Sequence, residues 1–270
     1  MNFRKKLEKI VEKNNSLLSV GLDIDKEKMP KFLFEDSKDP FYEFNKTVID
    51  STKDFVCAYK INMAFYEVFG KAGYDLLENT ISYIPDDIIV ILDGKRNDIG
   101  NTAKKYASSL FETLNADAVT VNPYLGYDGV KPFLDYENKC TFILCRTSNP
   151  SAVDFQDLKS NNITLFEQVA KKILKWNENF NCGAVVGATY PEELKKIRKI
   201  LGEDLPILIP GIGAQGGDVK STVKFGTNSN GENAIINSSR SIIYAGKNEN
   251  YSEKIKEAVT ILKDLINKYR

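Results

Sequence analysis

Histidine is missing altogether from the 270 residues. That excludes Ser-His and Cys-His nucleophilic machinery, histidine-ligated metals and histidine as a general acid or base, so any proton transfer falls to Lys, Asp, Glu, Tyr or Cys. Net charge is missing too, since 37 Lys+Arg balance 37 Asp+Glu. There is then neither the broad basic field that draws nucleic acid nor an acidic tail, and nucleic acid is not an expected partner. Long apolar runs are absent: "IIVIL" (88–92) and "PILIPGIG" (206–213) fall far short of the roughly 20 residues of a membrane helix. The first residues, "MNFRKKLEKIVEKNN", alternate charge where a signal peptide would be apolar. A soluble cytoplasmic protein with no membrane partner is expected. Cysteine is sparse. Cys57, Cys140, Cys145 and Cys182 lack CxxC spacing and lie in apolar settings such as "FVCAY" and "FILCR", which reads as buried reduced thiols.

What the chain does have is an alternation. Short β-branched runs bounded by turn residues recur at 17–23, 55–61, 88–95, 118–123, 141–147, 182–189, 206–213 and 234–240. Their nearly continuous hydrophobicity suits strands of a parallel sheet covered on both faces. Between them lie amphipathic stretches. "PEELKKIRKILG" (191–202) opens with Pro and acids and closes with a basic turn and Gly. "TLFEQVAKKILKWNENF" (164–180) opens on a candidate Thr cap, and "YSEKIKEAVTILKDLINKYR" (251–270) closes the chain. Eight strand-helix repeats without a linker predict an α/β fold, a single (β/α)8 TIM barrel domain over residues 1–270, with an open doubly wound sheet as the alternative. The Gly/Asn-rich "FGTNSNGENA" (225–234) reads as an ordinary connection before the last strand.

In such a barrel the active site lies at the C-terminal ends of the strands, and nearly every expected strand ends in polar residues. These are Asp23; Lys60 and Asn62; Asp93 and Lys95; Asn122; Thr147, Ser148 and Asn149; Gln215 after the seventh strand; and Ser238, Ser239 and Arg240. Side chains two apart on a strand share a face, so Asp93 and Lys95 of "LDGKRNDIGNT" are both expected at the barrel mouth. Asp98 falls where a helix would begin, a natural cap position. Two explanations stand at this point: a structural ion pair with a helix cap, or a site in which alternating charges hold one another ionised. A second cluster joins the Gly-rich "PGIGAQGGD" (210–218) to "NSSRSIIYAG" (237–246), the place where barrels often bind phosphate with backbone N–H groups and one cation.

The ordered set "GLD", "YKIN.AFYE", "LDGKRNDIGNTA", "RTSNPS", "PGIGAQGGD" and "NSSR.IIYA" resembles the orotidine 5′-phosphate decarboxylase family, in its longer bacterial-type branch, over essentially the whole chain. The resemblance implies a charged array of Lys60, Asp93, Lys95 and Asp98. In it Lys95 donates a proton, and Asp98, with Ile99 and Thr102 beside it, enters the site of a partner subunit. It further implies that Asp23 and Asn62 lie on the sugar side and that Thr147 and Ser148 belong to the loop that holds the pyrimidine. Pro210, Gln215, Ser239 and Arg240 fall on the phosphate side.

The implied activity is loss of CO2 from a small-molecule nucleotide, orotidine 5′-phosphate, to give uridine 5′-phosphate, the last step of de novo UMP synthesis. It needs neither metal nor organic cofactor, and takes place in a homodimer with shared active sites. Two rivals remain. A 3-keto-hexulonate-phosphate decarboxylase or hexulose-phosphate synthase would share the Asp-x-Lys-x-x-Asp signature but use Mg2+, whose extra strand-end carboxylates are expected where this chain has Lys60. A phosphate-ligand binding protein without the chemistry would not need the charged array.

Overall fold

A computed structural model describes residues 1–212 and 218–270. Its centre is a closed barrel of eight parallel strands: β1 (Leu18–Gly21), β2 (Ala58–Asn62), β3 (Ile89–Arg96), β4 (Ala118–Val121), β5 (Cys140–Arg146), β6 (Cys182–Val186), β7 (Ile207–Pro210) and β8 (Ala234–Ser238). Each lies within or overlaps one of the segments expected from sequence. Strands adjacent in the chain are adjacent in the barrel, and β8 closes on β1 through Leu18↔Ile236, Ser19↔Asn237 and Val20↔Ser238. Closure removes the open-sheet alternative. It also explains the uninterrupted hydrophobicity of the strands, since β1, β4, β6 and β8 are buried at every residue.

The helices follow local chemistry. Thr164 and Glu167 form a reciprocal capping box at the start of Leu165–Trp176, which satisfies two N–H groups that have no partner inside the helix. Pro191 opens Pro191–Leu201, and Gly202 ends it at φ +75°, where a side chain would be strained. Arg198 of this helix is buried near the N-terminal ends of the strands. Its guanidinium donates to the carbonyls of Leu205 (2.7 Å), Asn233 (2.7 Å) and Gly226 (2.6 Å), pinning the approaches to β7 and β8. The connection 227–233 before β8 is an ordinary loop, as expected.

One local expectation needs correction. The stretch after β3 is not one helix capped by Asp98. It starts at Gly100, with Ile99 in the cap position, and changes at Ser109–Thr113 into a π turn. Asp98 Oδ1 accepts the neighbouring Ile99 N–H (2.8 Å) instead of one inside the helix, because the chain reaches the helix through a left-handed Gly100. All four cysteines are buried and free, and burial pushes the Cys57 and Cys182 thiols up to about 12. Among the described residues no helix is long and apolar enough to cross a membrane.

Candidate active site

The strands deliver their last residues to a cavity of about 420 Å³ at the C-terminal mouth of the barrel. Its lining includes Asp23, Lys60, Asn62, Asp93, Lys95, Thr147, Ser148, Pro210, Ser239 and Arg240, ten of the residues singled out from sequence. Asp98, Ile99 and Thr102 do not line it. Gln215 lies outside the described residues.

β3 supplies the centre. After Leu92 its pairing with β4 shifts register, and Lys95 adopts φ +47°. A non-glycine residue in this region is strained by about 1 kcal/mol or more and persists only where its surroundings hold it. The holder is Thr120 of β4, whose hydroxyl oxygen accepts the Lys95 N–H (3.0 Å) while its own proton goes to Asp93 Oδ1 (2.8 Å). Asp93 and Lys95 therefore do meet at the mouth, but a bulge brings them there and not a regular pleat. Lys95 Nζ donates to Asp93 Oδ1 (2.7 Å), Lys60 Nζ donates to Asp93 Oδ2 (3.1 Å), and Lys60 Nζ lies 3.7 Å from Asp23 Oδ1. The result is a chain of alternating sign: Asp23, Lys60, Asp93, Lys95.

Burial opposes the charges of Lys60 and Asp93, so the electrostatics decide what survives. For Lys60 desolvation is the largest influence and pulls toward neutrality, yet the Asp23 and Asp93 carboxylates outweigh it and raise the pKa above the ordinary lysine value. For Asp93 burial likewise favours the neutral acid, while Lys60 and Lys95 hold the carboxyl well below the usual carboxylate range. Lys60 and Asp93 side chains are 5% and 10% exposed, whereas Lys95 is 47% exposed and reaches into the cavity. Among the described residues the buried Asp23 Oδ1 accepts no hydrogen bond, with Lys60 Nζ standing off at 3.7 Å.

The wall opposite is built on the β5 end. Gln156 fixes Thr147 from both sides, accepting its N–H (2.9 Å) and donating to its hydroxyl (2.7 Å). Arg146, 1% exposed, anchors that loop. Its guanidinium packs 4.5 Å from the Tyr190 ring centroid, donates to Gln156 Oε1 (3.3 Å) and pairs with Asp157 (3.3 Å). On the far side, Ser239 sits so close to Gly21 that a Cβ there would lie 1.8 Å from its Oγ, which explains a glycine at the end of β1.

Sequence reasoning missed Thr120 and Arg146 and over-weighted Asn122. Asn122 does not line the cavity: its side chain accepts the Tyr124 N–H (3.0 Å) and its carbonyl accepts the Asn97 amide, so it is a turn residue. Thr120 was within reach of inspection as the one polar residue inside the apolar "AVTV". Among the described residues no group of three or more His, Cys, Asp or Glu side chains comes together to hold a metal.

Barrel and mouth together define a (β/α)8 enzyme whose site is a paired Lys-Asp array facing a cavity of about 420 Å³. The family model described as "Orotidine 5'-phosphate decarboxylase / HUMPS family" matches residues 16–255. An orotidine 5′-phosphate decarboxylase of Dehalococcoides mccartyi is 49% identical over 274 residues, spanning 100% of this chain and 99% of that one. One of Cellvibrio japonicus is 46% identical over 273 residues, covering 99% of this chain and 98% of the relative. The solved structure of Leishmania donovani OMP decarboxylase superposes with a TM-score of 0.83 at 36% identity, over 98% of this chain and 99% of that chain. The chain belongs to the orotidine 5′-phosphate decarboxylase family.

Proposed function

We propose that the chain, acting as one barrel domain over residues 1–270 in the cytoplasm, decarboxylates orotidine 5′-phosphate to uridine 5′-phosphate without metal or organic cofactor. The observation that carries this reading is the Asp23-Lys60-Asp93-Lys95 chain, which leaves an ammonium protruding where a carbanion could form. In the proposed step the bond from pyrimidine C6 to the substrate carboxylate breaks, CO2 leaves, and the electron pair stays on C6. The Lys95 ammonium stabilises that charge and then transfers its proton to C6, and water reprotonates the lysine. Asp93, accepting from Lys95 Nζ at 2.7 Å, holds the ammonium at the cavity. Its own negative charge near the substrate carboxylate adds repulsion that is relieved as CO2 departs.

The remaining contacts assign themselves by chemistry. Asp23 Oδ1, which accepts no hydrogen bond among the described residues, accepts a ribose hydroxyl, with Asn62 beside it. Thr147 and Ser148 face the pyrimidine. Arg240, with Ser239, Pro210 and Gln215, takes the phosphate, and binding energy from that remote group orders the site for the chemical step.

Asp98 is assigned to a neighbouring subunit's site, because it stands outside its own cavity on a surface rich in exposed apolar side chains. Ile99 is 61% exposed, Tyr124 81% and Leu125 49%, a pattern that suits burial in a homodimer with shared active sites; Ile99 and Thr102 accompany Asp98 across. The direct test is loss of orotidine 5′-phosphate absorbance with the purified chain, run with and without EDTA. Turnover insensitive to EDTA is expected. EDTA inhibition would favour the Mg2+-dependent relatives, and no turnover at all would leave a binding protein.

A further inference from the structure

Asp23 stands where the regular pairing of β1 has ended, and something else must hold its backbone. The Leu22 N–H still donates to the Lys60 carbonyl (3.0 Å). Beyond that point two phenols take over. Tyr66 donates its proton to the Leu22 carbonyl (3.0 Å). Tyr244 Oη accepts the Asp25 N–H (2.7 Å) and donates to the Asp23 carbonyl (2.8 Å), bridging the main chain on both sides of Ile24. The Tyr244 ring is fixed in turn. It stacks on the buried Phe44 at 5.7 Å and 14°, and Phe44 stacks on Tyr251 at 6.1 Å and 9°. Burial also holds the Tyr244 phenol well above its ordinary pKa, so the donor proton is retained.

Position in the chain gives this contact its meaning. Tyr244 directly follows the short helix Arg240–Ile243, whose first residue lines the cavity at the end of β8. We propose that Tyr244 is a positioning residue that fixes Asp23 relative to Arg240 through the two hydrogen bonds to the main chain of residues 23 and 25. The distance from the sugar-side carboxylate to the phosphate-side cation is thereby set, and with it the reach of Asp23 to Lys60. This rests on the decarboxylase reading for its substrate, but the clamp itself does not.

Tyr244→Phe removes the hydroxyl and keeps the stacked ring. With orotidine 5′-phosphate we expect kcat/KM to fall about tenfold, the size of one to two backbone hydrogen bonds. The melting temperature should fall by less than about 5 °C. In an Asp23→Ala background the same substitution should cost less than about threefold, since a residue acting through Asp23 has nothing left to position. Equal losses in both backgrounds, or no loss in the native one, would overturn the proposal.

Uridine 5′-phosphate affinity by calorimetry in the same four proteins gives the same comparison where turnover is slow. Amide exchange needs no ligand at all. The Asp25 N–H should exchange faster in Tyr244→Phe, and unchanged exchange overturns the clamp, whereas an unsubstituted chain without turnover overturns only the decarboxylase reading.

Discussion

The substitution Asp93→Asn isolates what the charged array costs and contributes. Asn fills the same volume and can still accept the Thr120 hydroxyl, so the change is mainly one of charge. It leaves the Lys60 ammonium, 5% exposed, facing an amide NH2 in place of Oδ2 with Asp23 at 3.7 Å as its remaining carboxylate, and it takes the negative charge from the oxygen that Lys95 contacts at 2.7 Å. Removing one member of a buried pair costs about 3–5 kcal/mol, most of it the desolvation of the charge left behind. Because Asp23 remains and Lys95 can turn to water, the lower end, about 3 kcal/mol, is expected. A second substitution tests that origin. Lys60→Met on top of Asp93→Asn removes the stranded charge, and the double variant should be more stable than Asp93→Asn alone by at least about 1 kcal/mol.

The pH dependence has a definite sign. The Asp93 carboxyl is held below its ordinary range in the folded chain, burial opposing and Lys60 and Lys95 prevailing. Its contribution is therefore complete above the unfolded carboxylate pKa of about 3.9 and is lost as pH falls below it. Urea denaturation followed by both fluorescence and far-ultraviolet dichroism, at pH 6 and pH 3, measures both claims. The gap between native and Asp93→Asn midpoints should narrow at the lower pH. A cost under about 1 kcal/mol at pH 6, a gap that widens on acidification, or a double variant that simply adds the two losses would refute the reasoning.

Three further outcomes are expected. Lys95→Ala should lower turnover by on the order of 10³-fold or more while uridine 5′-phosphate binding stays within about tenfold; substantial residual decarboxylation, seen by the absorbance assay, would remove Lys95 as proton donor. Mixing inactive Asp98→Ala and Lys60→Ala subunits at equal amounts should restore about one quarter of native activity, because half the dimers are mixed and each mixed dimer rebuilds one complete site. No recovery after verified exchange would place the site within one chain. Arg198→Met should destabilise the fold by roughly 3 kcal/mol in denaturant melts, since the four carbonyl groups of Gly202, Leu205, Gly226 and Asn233 lose a cationic donor, without altering KM.

The barrel was legible because its physics is repetitive. A parallel strand buried on both faces needs an apolar run whatever its neighbours are, and eight such runs in register with amphipathic helices leave little else for the chain to form. The charged positions were legible for a related reason. Asp23, Lys60 and Asp93 end apolar runs, and charge at that place is costly enough to be informative. What could not be read was anything set by contact between strands. Lys95 meets Asp93 through a bulge and a left-handed φ of 47° held by Thr120, and neither the bulge nor its holder follows from a period of two along one strand. Asn122 and Thr120 differ by two positions in "AVTVN", yet one is a turn cap and the other anchors the array, because the strand stops pairing between them.

Asp98 shows the same limit from the other side. Read alone, an aspartate before a helix is a cap. With Gly100 left-handed at the first position of the helix, its carboxylate accepts only the adjacent Ile99 N–H among the described residues. The cap would have explained the residue completely within one chain; its failure is what leaves the carboxylate available to a second one. Lys60 and Asp93, by contrast, satisfy each other within the barrel. The proposed dimer therefore needs to supply one charge and not a whole array, which is why subunit mixing should separate Asp98 from the other three charged residues.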